Sequence, residues 1–524
     1  MTERPTHLSS IRRPEIWTGV YLLLFGLAWW CIFSFTRHAL DHADMVENYV
    51  WGTAWQWGNN KHPPLFAWIT AAWFRWFPTR DSAYYLLEEA NLVLAFWLLA
   101  LAMRRCMDWS RVLIGIVLTT LVTVYGPDSG FKYNANTAQL PFIAGFIWSL
   151  LHGLQSHRRR WFVLTGAFAG AALLCKYSAA LLLMAIAGTL VLRLRPPRSI
   201  VMTGAMLSSA VAALLLAPHV LWSIRHGWPS LHYMESAHPA QGLTSVMTSH
   251  LAFLVSALLY MALPAVVWAL ARRQLPHRAG PMPDAPRLGL PLLLSTLTLT
   301  LAGALISGMT PVSSWLIPVM LFAGWALVDR IPAGLNLRPM AARTLALAMV
   351  CLGLYGALAV MEDASTQHQP APQPYVLQQT MAETVARIYR QRYGQPLDYV
   401  AGSFPLPYFV AFYAPEHPQA AYGLDLRQST WLDAHAFRQG GKAVICGSVR
   451  YFAQPPDPDC AAQARRQFGP SDEMRWLRWP VYDPATRRQA LQTIQLLMWA
   501  PTPSHRQTAA PRVNARAQSP AASG

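Results

Sequence analysis

Residues 44–65 read DMVENYVWGTAWQWGNNKHPPL, and the interpretation of this stretch decides the rest. It lies between a first apolar run, Ile16–Phe35, and a second, Ala83–Met103, so it forms a loop outside a membrane segment. Asp44 and Glu47 are three residues apart, so a helix sets both carboxylates on one face. Lys61 and His62 precede Pro63-Pro64, and proline restricts the residue before it to extended geometry, which pins a cationic pair. Tyr49, Trp51, Trp55, Trp57 and Phe66 add an aromatic belt. Acid, cation and aromatic rings in one short loop describe a site at a membrane surface. They do not name a reaction.

Composition places the loop in context. The chain has 524 residues, 53% hydrophobic and 13% charged, about half the charged share of an ordinary soluble protein. Many of its 22 tryptophans lie near the ends of apolar runs, where an amphipathic ring suits the headgroup layer. Eleven runs can cross a bilayer, the tenth being Val312–Val328 and the last Thr344–Met361; Val112–Tyr125, Trp161–Cys175 and Ser178–Leu192 are short ones. The net charge of +17 invites a nucleic-acid partner, but the basic residues gather in every second short connection, as cytoplasmic loops require. No nucleic acid is therefore expected. The N-terminus is expected in the cytoplasm, and the alternate loops, including 44–65, 126–136 and 223–249, face outward. An odd count puts the C-terminal region outside too. The first run is too long for a cleaved signal and no small-residue cleavage site follows it.

After residue 361 the composition changes. Residues 362–396 read as a polar, Pro-rich linker, 397–500 as a small α/β domain and 501–524 as a disordered tail. Within the domain LDYVAG and KAVICG read as strands, LPYFVAFYA and TWLDAHAFRQGG as helices. Its two cysteines, Cys446 and Cys460, are expected to pair in an oxidising compartment, whereas Cys31, Cys106, Cys175 and Cys351 sit in or beside apolar runs as small hydrophobes. The segment VAGSFP is too weak to claim a nucleotide, so the domain is expected to contact an acceptor or to regulate. There is no internal repeat, and the charged motifs lie in loops rather than at the midplane, which disfavours a transporter or flippase.

The first loop resembles that of the bacterial membrane glycosyltransferases of GT-C fold. These include the aminoarabinose and galacturonic acid transferases of lipid A and relatives of the protein O-mannosyltransferases, the glycosyltransferase family 39-like group. There an acidic motif followed by aromatics leads to a charged pair before Pro-Pro. Asp44 matches the acidic residue taken as catalytic; Met45 stands where a second acid is usual, with Glu47 two residues on. Lys61 and His62 match the charged pair. The second outward loop, YGPDSGFKYNANTAQLP at Tyr125–Pro141, is similar to a family loop that carries an Asp, and Asn136 stands at that position. CKYSAALLL at Cys175–Leu183 and LWSIRHGWPSLHY at Leu221–Tyr233 are similar to the galacturonosyl-type branch. The resemblance covers about residues 16–360.

The resemblance implies an α-helical polytopic membrane protein of GT-C type with interfacial helices in the first periplasmic loop, residues 1–361, followed by the small α/β domain. It implies transfer of a sugar from a polyprenyl-phosphate donor to a lipid (lipid A or another envelope glycolipid) or glycan acceptor, at the periplasmic side of the bacterial inner membrane. Protein Ser/Thr is the alternative acceptor. Asp44, with Glu47, would act as base or orient the acceptor. The departing lipid phosphate needs fixed positive charge in a low-dielectric site, for which Lys61, His62, Lys132, Lys176, Arg225 and His226 are candidates. Asn136, Trp51 and Trp228 are candidate acceptor or sugar contacts, and a divalent metal is left open. His219, beside Pro218, reads as a packed or hydrogen-bonded histidine. The Met45 and Asn136 departures leave room for a non-catalytic polyprenyl-lipid binder.

Overall fold

The computed structural model describes residues 13–40, 43–128, 130–237, 242–273, 286–332, 334–372, 374–447, 459–483 and 488–502. All but the first two residues of the expected tail therefore lie outside the described residues. The chain forms two compact units, Met1–His368 and Gln369–Gly524.

The first unit is helical. Its elements are α1 (Pro14–Thr36), α2 (Ala43–Thr53), α3 (Leu65–Trp76), α4 (Asp81–Met103), α5 (Trp109–Thr120), α6 (Ala135–Ala138), α7 (Leu140–Ser156), α8 (Arg159–Cys175), α9 (Ala179–Leu194), α10 (Arg198–Arg225), α11 (Pro229–Ala237), α12 (Leu243–Arg272), α13 (Gly289–Ile306), α14 (Ala323–Val328) and α15 (Arg338–Gln367). Among the described residues seven segments are long and apolar enough to cross a membrane: α1, α4, α6 with α7, α10, α12, α13 and α15. The apolar helices α5 and α9 are shorter. This is a multi-pass membrane protein. Large apolar side chains such as Leu214, Met206 and Leu258 project from α10 and α12 with over two-thirds of their surface uncovered, as lipid contact allows. By contrast α4 is gripped by α1 and α7, and α8 packs between α7 and α10. Rings knit α1 to α4 and α4 to the 3-10 turn Thr123–Tyr125 that follows α5: Phe25 meets Phe96 edge-on at 6.0 Å, and Phe96 meets Tyr125 at 5.1 Å.

The run Val312–Val328, expected as one span, is not a continuous α-helix. Short 3-10 turns at Ser313–Leu316 and Met320–Phe322 precede α14. Pro318 supplies the break, since it has no N–H and its ring clashes with the preceding turn. From Leu316 to Ala326 the broken segment is buried in protein, and neighbours satisfy its freed backbone: Tyr125 donates its hydroxyl to the Ile317 carbonyl at 2.5 Å, and Gly324 N donates to Thr119 Oγ1 at 3.2 Å.

The second unit holds a five-stranded sheet of order β2-β1-β3-β5-β4, built from β1 (Tyr399–Gly402), β2 (Gln419–Ala420), β3 (Lys442–Gly447), β4 (Glu473–Asp483) and β5 (Arg488–Trp499). β1 runs parallel to β2 and β3, and β5 runs antiparallel to β3 and β4. Its helices are α16 (Gln378–Tyr393), α17 (Leu406–Tyr413), α18 (Ala434–Gln439) and α19 (Cys460–Phe468). The stretch read as the helix TWLDAHAFRQGG is helical only from Ala434, because Asp433 accepts the amides of His435 and Ala436 and so starts the helix there. Residues 362–396, read as a linker, contain the end of α15 and the whole of α16. The amphipathic spacing of Met381, Ala382, Val385, Ala386 and Tyr389 buries one face of α16. Cys446 and Cys460 form a disulfide at a Cα–Cα distance of 5.7 Å, inside a core of Tyr399, Phe437, Val444 and Leu497.

Candidate active site

Three loops converge. The first begins with α2, whose opening turn carries Asp44, where a carboxylate meets the positive end of the helix dipole. Glu47 follows one turn later and is buried to 2% exposure. At Gly52 the helix crosses α3 so closely that a Cβ would lie 2.1 Å from the Ala67 carbonyl oxygen, so glycine alone fits the crossing. Tyr84 of α4 donates its hydroxyl to the Met45 carbonyl at 2.5 Å, fixing the acidic turn from beneath.

The chain then folds back. Asn59 Oδ1 accepts the amides of Lys61 at 2.9 Å and His62 at 2.7 Å, an Asx turn that aims both side chains, and the two prolines stiffen the approach to α3. Lys61 Nζ donates to Glu47 Oε1 at 2.6 Å. Its ammonium also lies 5.9 Å from the Trp51 ring centroid and 5.3 Å from that of Tyr233. The turn is held from α10 and α11. His219 Nδ1 meets the Trp57 carbonyl at 2.5 Å while its Nε2 meets the Tyr177 hydroxyl at 2.7 Å, and Ser230 donates to the Asn59 carbonyl at 3.1 Å. A Cβ on Gly58 would lie 2.3 Å from the Trp222 ring, so the loop can lie flat on α10 only with glycine there.

The second loop supplies α6. Asn134 is its N-cap: Asn134 Oδ1 accepts from Asn136 N at 2.8 Å, and Thr137 Oγ1 accepts from Asn134 N at 3.2 Å, a reciprocal capping box. With its oxygen so engaged, Asn134 turns its Nδ2 toward Asp44 Oδ2, 3.4 Å away. The third loop is the break between α8 and α9, where Lys176 donates through Nζ to Asn136 Oδ1.

Asp44, Lys61, His62, Asn136 and Lys176 are each half-buried, whereas Glu47, Asn59, Asn134 and Thr137 behind them are buried. An accessible layer of acid, amide and cations thus rests on a covered layer of supports. Desolvation pushes the Glu47 carboxyl up to about 7, with Lys61 pulling it back and Asp44 adding to the rise. Desolvation brings Lys176 down to about 8, opposed by the negative charge of Asp44. The imidazole of His62 falls to about 3 by desolvation, with the positive charge of Lys176 acting in the same direction.

His62 is therefore neutral. The pinned cationic pair expected from sequence is one cation and one neutral ring, set edge-on to Phe66 at 5.7 Å and Trp51 at 6.4 Å. The remaining sequence candidates divide. Trp51 is buried at 4% exposure, beneath the Lys61 turn, so its ring packs rather than offering a free face. The Lys132 ammonium lies 4.9 Å from the Phe131 ring centroid, and among the described residues no side-chain hydrogen bond or ion pair ties it to the cluster; only its carbonyl lies within reach of Thr137. Arg225, His226 and Trp228 lie exposed at and beyond the end of α10, with His226 stacked on Trp222 at 4.3 Å. They stay outside the cluster because Trp222 and Ser230 are the residues of this segment turned toward it. Sequence reasoning missed Asn134, Asn59 and Tyr233. The pattern Asn-x-x-Thr at 134–137 is a cap signature that could have flagged the first. Among the described residues no group of three or more His, Cys, Asp or Glu side chains is arranged to hold a metal ion.

Residues 61–222 match the family model described as dolichyl-phosphate-mannose-protein mannosyltransferase. No curated protein matches. The structure is similar to that of ArnT from Cupriavidus metallidurans bound to undecaprenyl phosphate, with a TM-score of 0.56 over 91% of this chain and 98% of that one, at 12% identity. An Archaeoglobus fulgidus oligosaccharyltransferase in the apo form is similar with a TM-score of 0.38 over 78% of this chain and 65% of that one, at 13% identity. The chain has the GT-C fold of the ArnT structure.

Proposed function

We propose that this GT-C-fold chain transfers a sugar, a hexose or a pentose, from a polyprenyl-phosphate donor to a lipid or glycan acceptor on the periplasmic side of the bacterial inner membrane. One observation carries the reading: Asp44, Asn136 and Lys176 come from three separate loops into one half-buried cluster joined by Asn134. In this reading the acceptor hydroxyl is held at Asp44, which takes its proton as the oxygen attacks the anomeric carbon. The bond from that carbon to the phosphate oxygen breaks, and polyprenyl phosphate leaves. Developing negative charge on the phosphate is met by Lys176, whose amide partner is neutral and leaves its full charge available. Lys61 shares its charge with Glu47, so it contributes less to the phosphate and more to the shape of the loop. His62, neutral, offers a single ring N–H as a donor. The match of residues 61–222 to a mannosyltransferase family model supports the reaction class. The undecaprenyl phosphate of the ArnT structure supports the choice of lipid carrier.

The test is transfer of label from a radiolabelled polyprenyl-phosphate sugar in membranes containing the protein, with undecaprenyl phosphate as competitor. Label should enter the lipid or glycan fraction and competition should reduce it. Equal incorporation in membranes lacking the protein would overturn the reading. Mass spectrometry of lipid A and surface glycans from a deletion strain would identify the acceptor, and a change confined to protein glycans would move the acceptor to Ser/Thr.

A further inference from the structure

Glu88 stands on the membrane-crossing helix α4 with no exposed surface, and the reaction described above gives it no part. A carboxyl group buried within a membrane-crossing helix is costly, and here it faces protein. Its Oε2 accepts the Thr137 hydroxyl at 2.8 Å. Three residues on, and so on the same helix face, Asn91 Nδ2 donates to the Thr137 carbonyl at 2.9 Å. Two side chains of α4 thus hold one residue, one by its side chain and the other by its main chain.

Thr137 is the keystone of the α6 cap. Its hydroxyl has a single proton and must also accept from Asn134 N. Glu88 draws that proton toward α4, which leaves a lone pair facing Asn134. The other acceptors within reach, the carbonyls of Lys132 and Asn134, are both longer at 3.3 Å. Without Glu88 the hydroxyl would turn to one of these, and its lone pairs would no longer be held toward Asn134 N. The cap decides where two amides point: Asn134 at Asp44 and Asn136 at Lys176. We propose that Glu88 and Asn91 are positioning residues, an intramembrane clamp on Thr137 that sets the Asn134–Asp44 and Asn136–Lys176 contacts. The inference rests on the reading of Asp44 and Lys176 as reacting groups.

The experiment uses the full chain in detergent, with two readouts. One is binding of undecaprenyl phosphate followed by tryptophan fluorescence; the other is kcat and KM for the labelled donor. Glu88→Gln keeps an acceptor oxygen at the same reach and should stay within about twofold of wild type in both. Glu88→Leu removes it and should lower kcat by up to about 100-fold, the scale of a small misplacement of a reacting group. It should weaken undecaprenyl phosphate binding severalfold. In an Asn134→Leu background the further loss of kcat should be small, because both changes reach Asp44 by one route. A purely architectural role predicts multiplying losses that follow thermal stability, and that result would overturn the clamp. Normal kcat and normal lipid binding in a folded Glu88→Leu protein would overturn it as well. Should Glu88→Leu fail to fold, Thr137→Val carries the same test, with Thr137→Ser expected to recover function. Failure of the underlying reading looks different: Asp44→Asn would then transfer as wild type does. With Asp44→Asn inactive and Glu88→Leu normal, only the clamp falls. If no donor is turned over, the lipid-binding arm decides: unchanged affinity in Glu88→Leu rejects the clamp.

Discussion

Lys176 gives the most quantitative handle on the site. It holds a fixed position at the break between α8 and α9, bonded to Asn136, and its pKa of about 8 lies within reach of ordinary assay buffers. The protonated form is the one that can hold a phosphate. It predominates below pH 8 and is lost as pH rises through that value, so about a tenth remains one unit above. For the free enzyme, kcat/KM for the donor should therefore fall about tenfold per unit above pH 8. Bound phosphate favours the ammonium and raises its pKa, so kcat should hold to higher pH than kcat/KM. Lys176→Met removes a hydrogen bond to a charged group, worth about 1.5–3 kcal/mol, or a roughly 10- to 150-fold loss. Lys176→Arg stays charged throughout. It should give a lower plateau, since the planar guanidinium does not reproduce the ammonium's geometry, but no alkaline fall near pH 8. The assay is initial-rate transfer from a labelled polyprenyl-phosphate sugar between pH 6 and about 10, at subsaturating and saturating donor. An unchanged alkaline limb in Lys176→Arg, or a wild-type profile flat across the range, would refute the assignment.

Three further outcomes are expected from the geometry. Glu47→Gln keeps an acceptor for Lys61 but takes away the negative charge that anchors it, so it should resemble Lys61→Met by raising the donor KM, with kcat changing only severalfold; a loss concentrated in kcat would make Glu47 a second catalytic carboxylate. For the proposed orientation, a cysteine at the exposed position Thr53 should react with an impermeant thiol reagent from outside, and one at the exposed position Ser156 should not, each compared with the parent protein; the reverse pattern would invert the topology. Cys446 and Cys460, 14 residues apart, should resist alkylation until reduced, and Cys460→Ser should destabilise the second unit by about 2–4 kcal/mol; alkylation of both thiols in native protein would remove the bridge.

The membrane fold was legible because lipid leaves few choices: long apolar runs must be helices, and α1, α4, α10, α12, α13 and α15 all coincide with such runs. The limit of that rule is Val312–Val328, where composition says span but Pro318 and a setting buried from Leu316 to Ala326 give a broken chain. Hydropathy measures preference for an apolar surrounding, and protein interior satisfies it as well as lipid does. In the second unit the strands β1 and β3 were readable, whereas the start of α18 at Asp433 was placed too early and α16 was hidden by its polar composition.

At the site, local spacing gave what local physics controls. Asp44 and Glu47 do share a helix, and Lys61 and His62 are pinned before the prolines. Charge states and pairings were beyond it. That His62 is neutral follows from desolvation by the fold, with Lys176, more than a hundred residues away, acting in the same direction. That Lys61 is taken up by Glu47 requires the turn at Asn59, and that Asp44 is met by Asn134 requires α4 and α6 to pack. Position in sequence marked the residues; only the packing assigned their partners.

The most direct measurement of the central claim is donor turnover by Asp44→Asn against wild type, at matched expression and with undecaprenyl phosphate binding as the check on folding. The substitution keeps the side chain's shape and its contact to Asn134 but removes the base. The account predicts intact lipid binding with turnover reduced by roughly 10²–10⁴-fold, the range for a lost general base. Wild-type turnover in Asp44→Asn would contradict it and leave a lipid-binding protein in place of an enzyme.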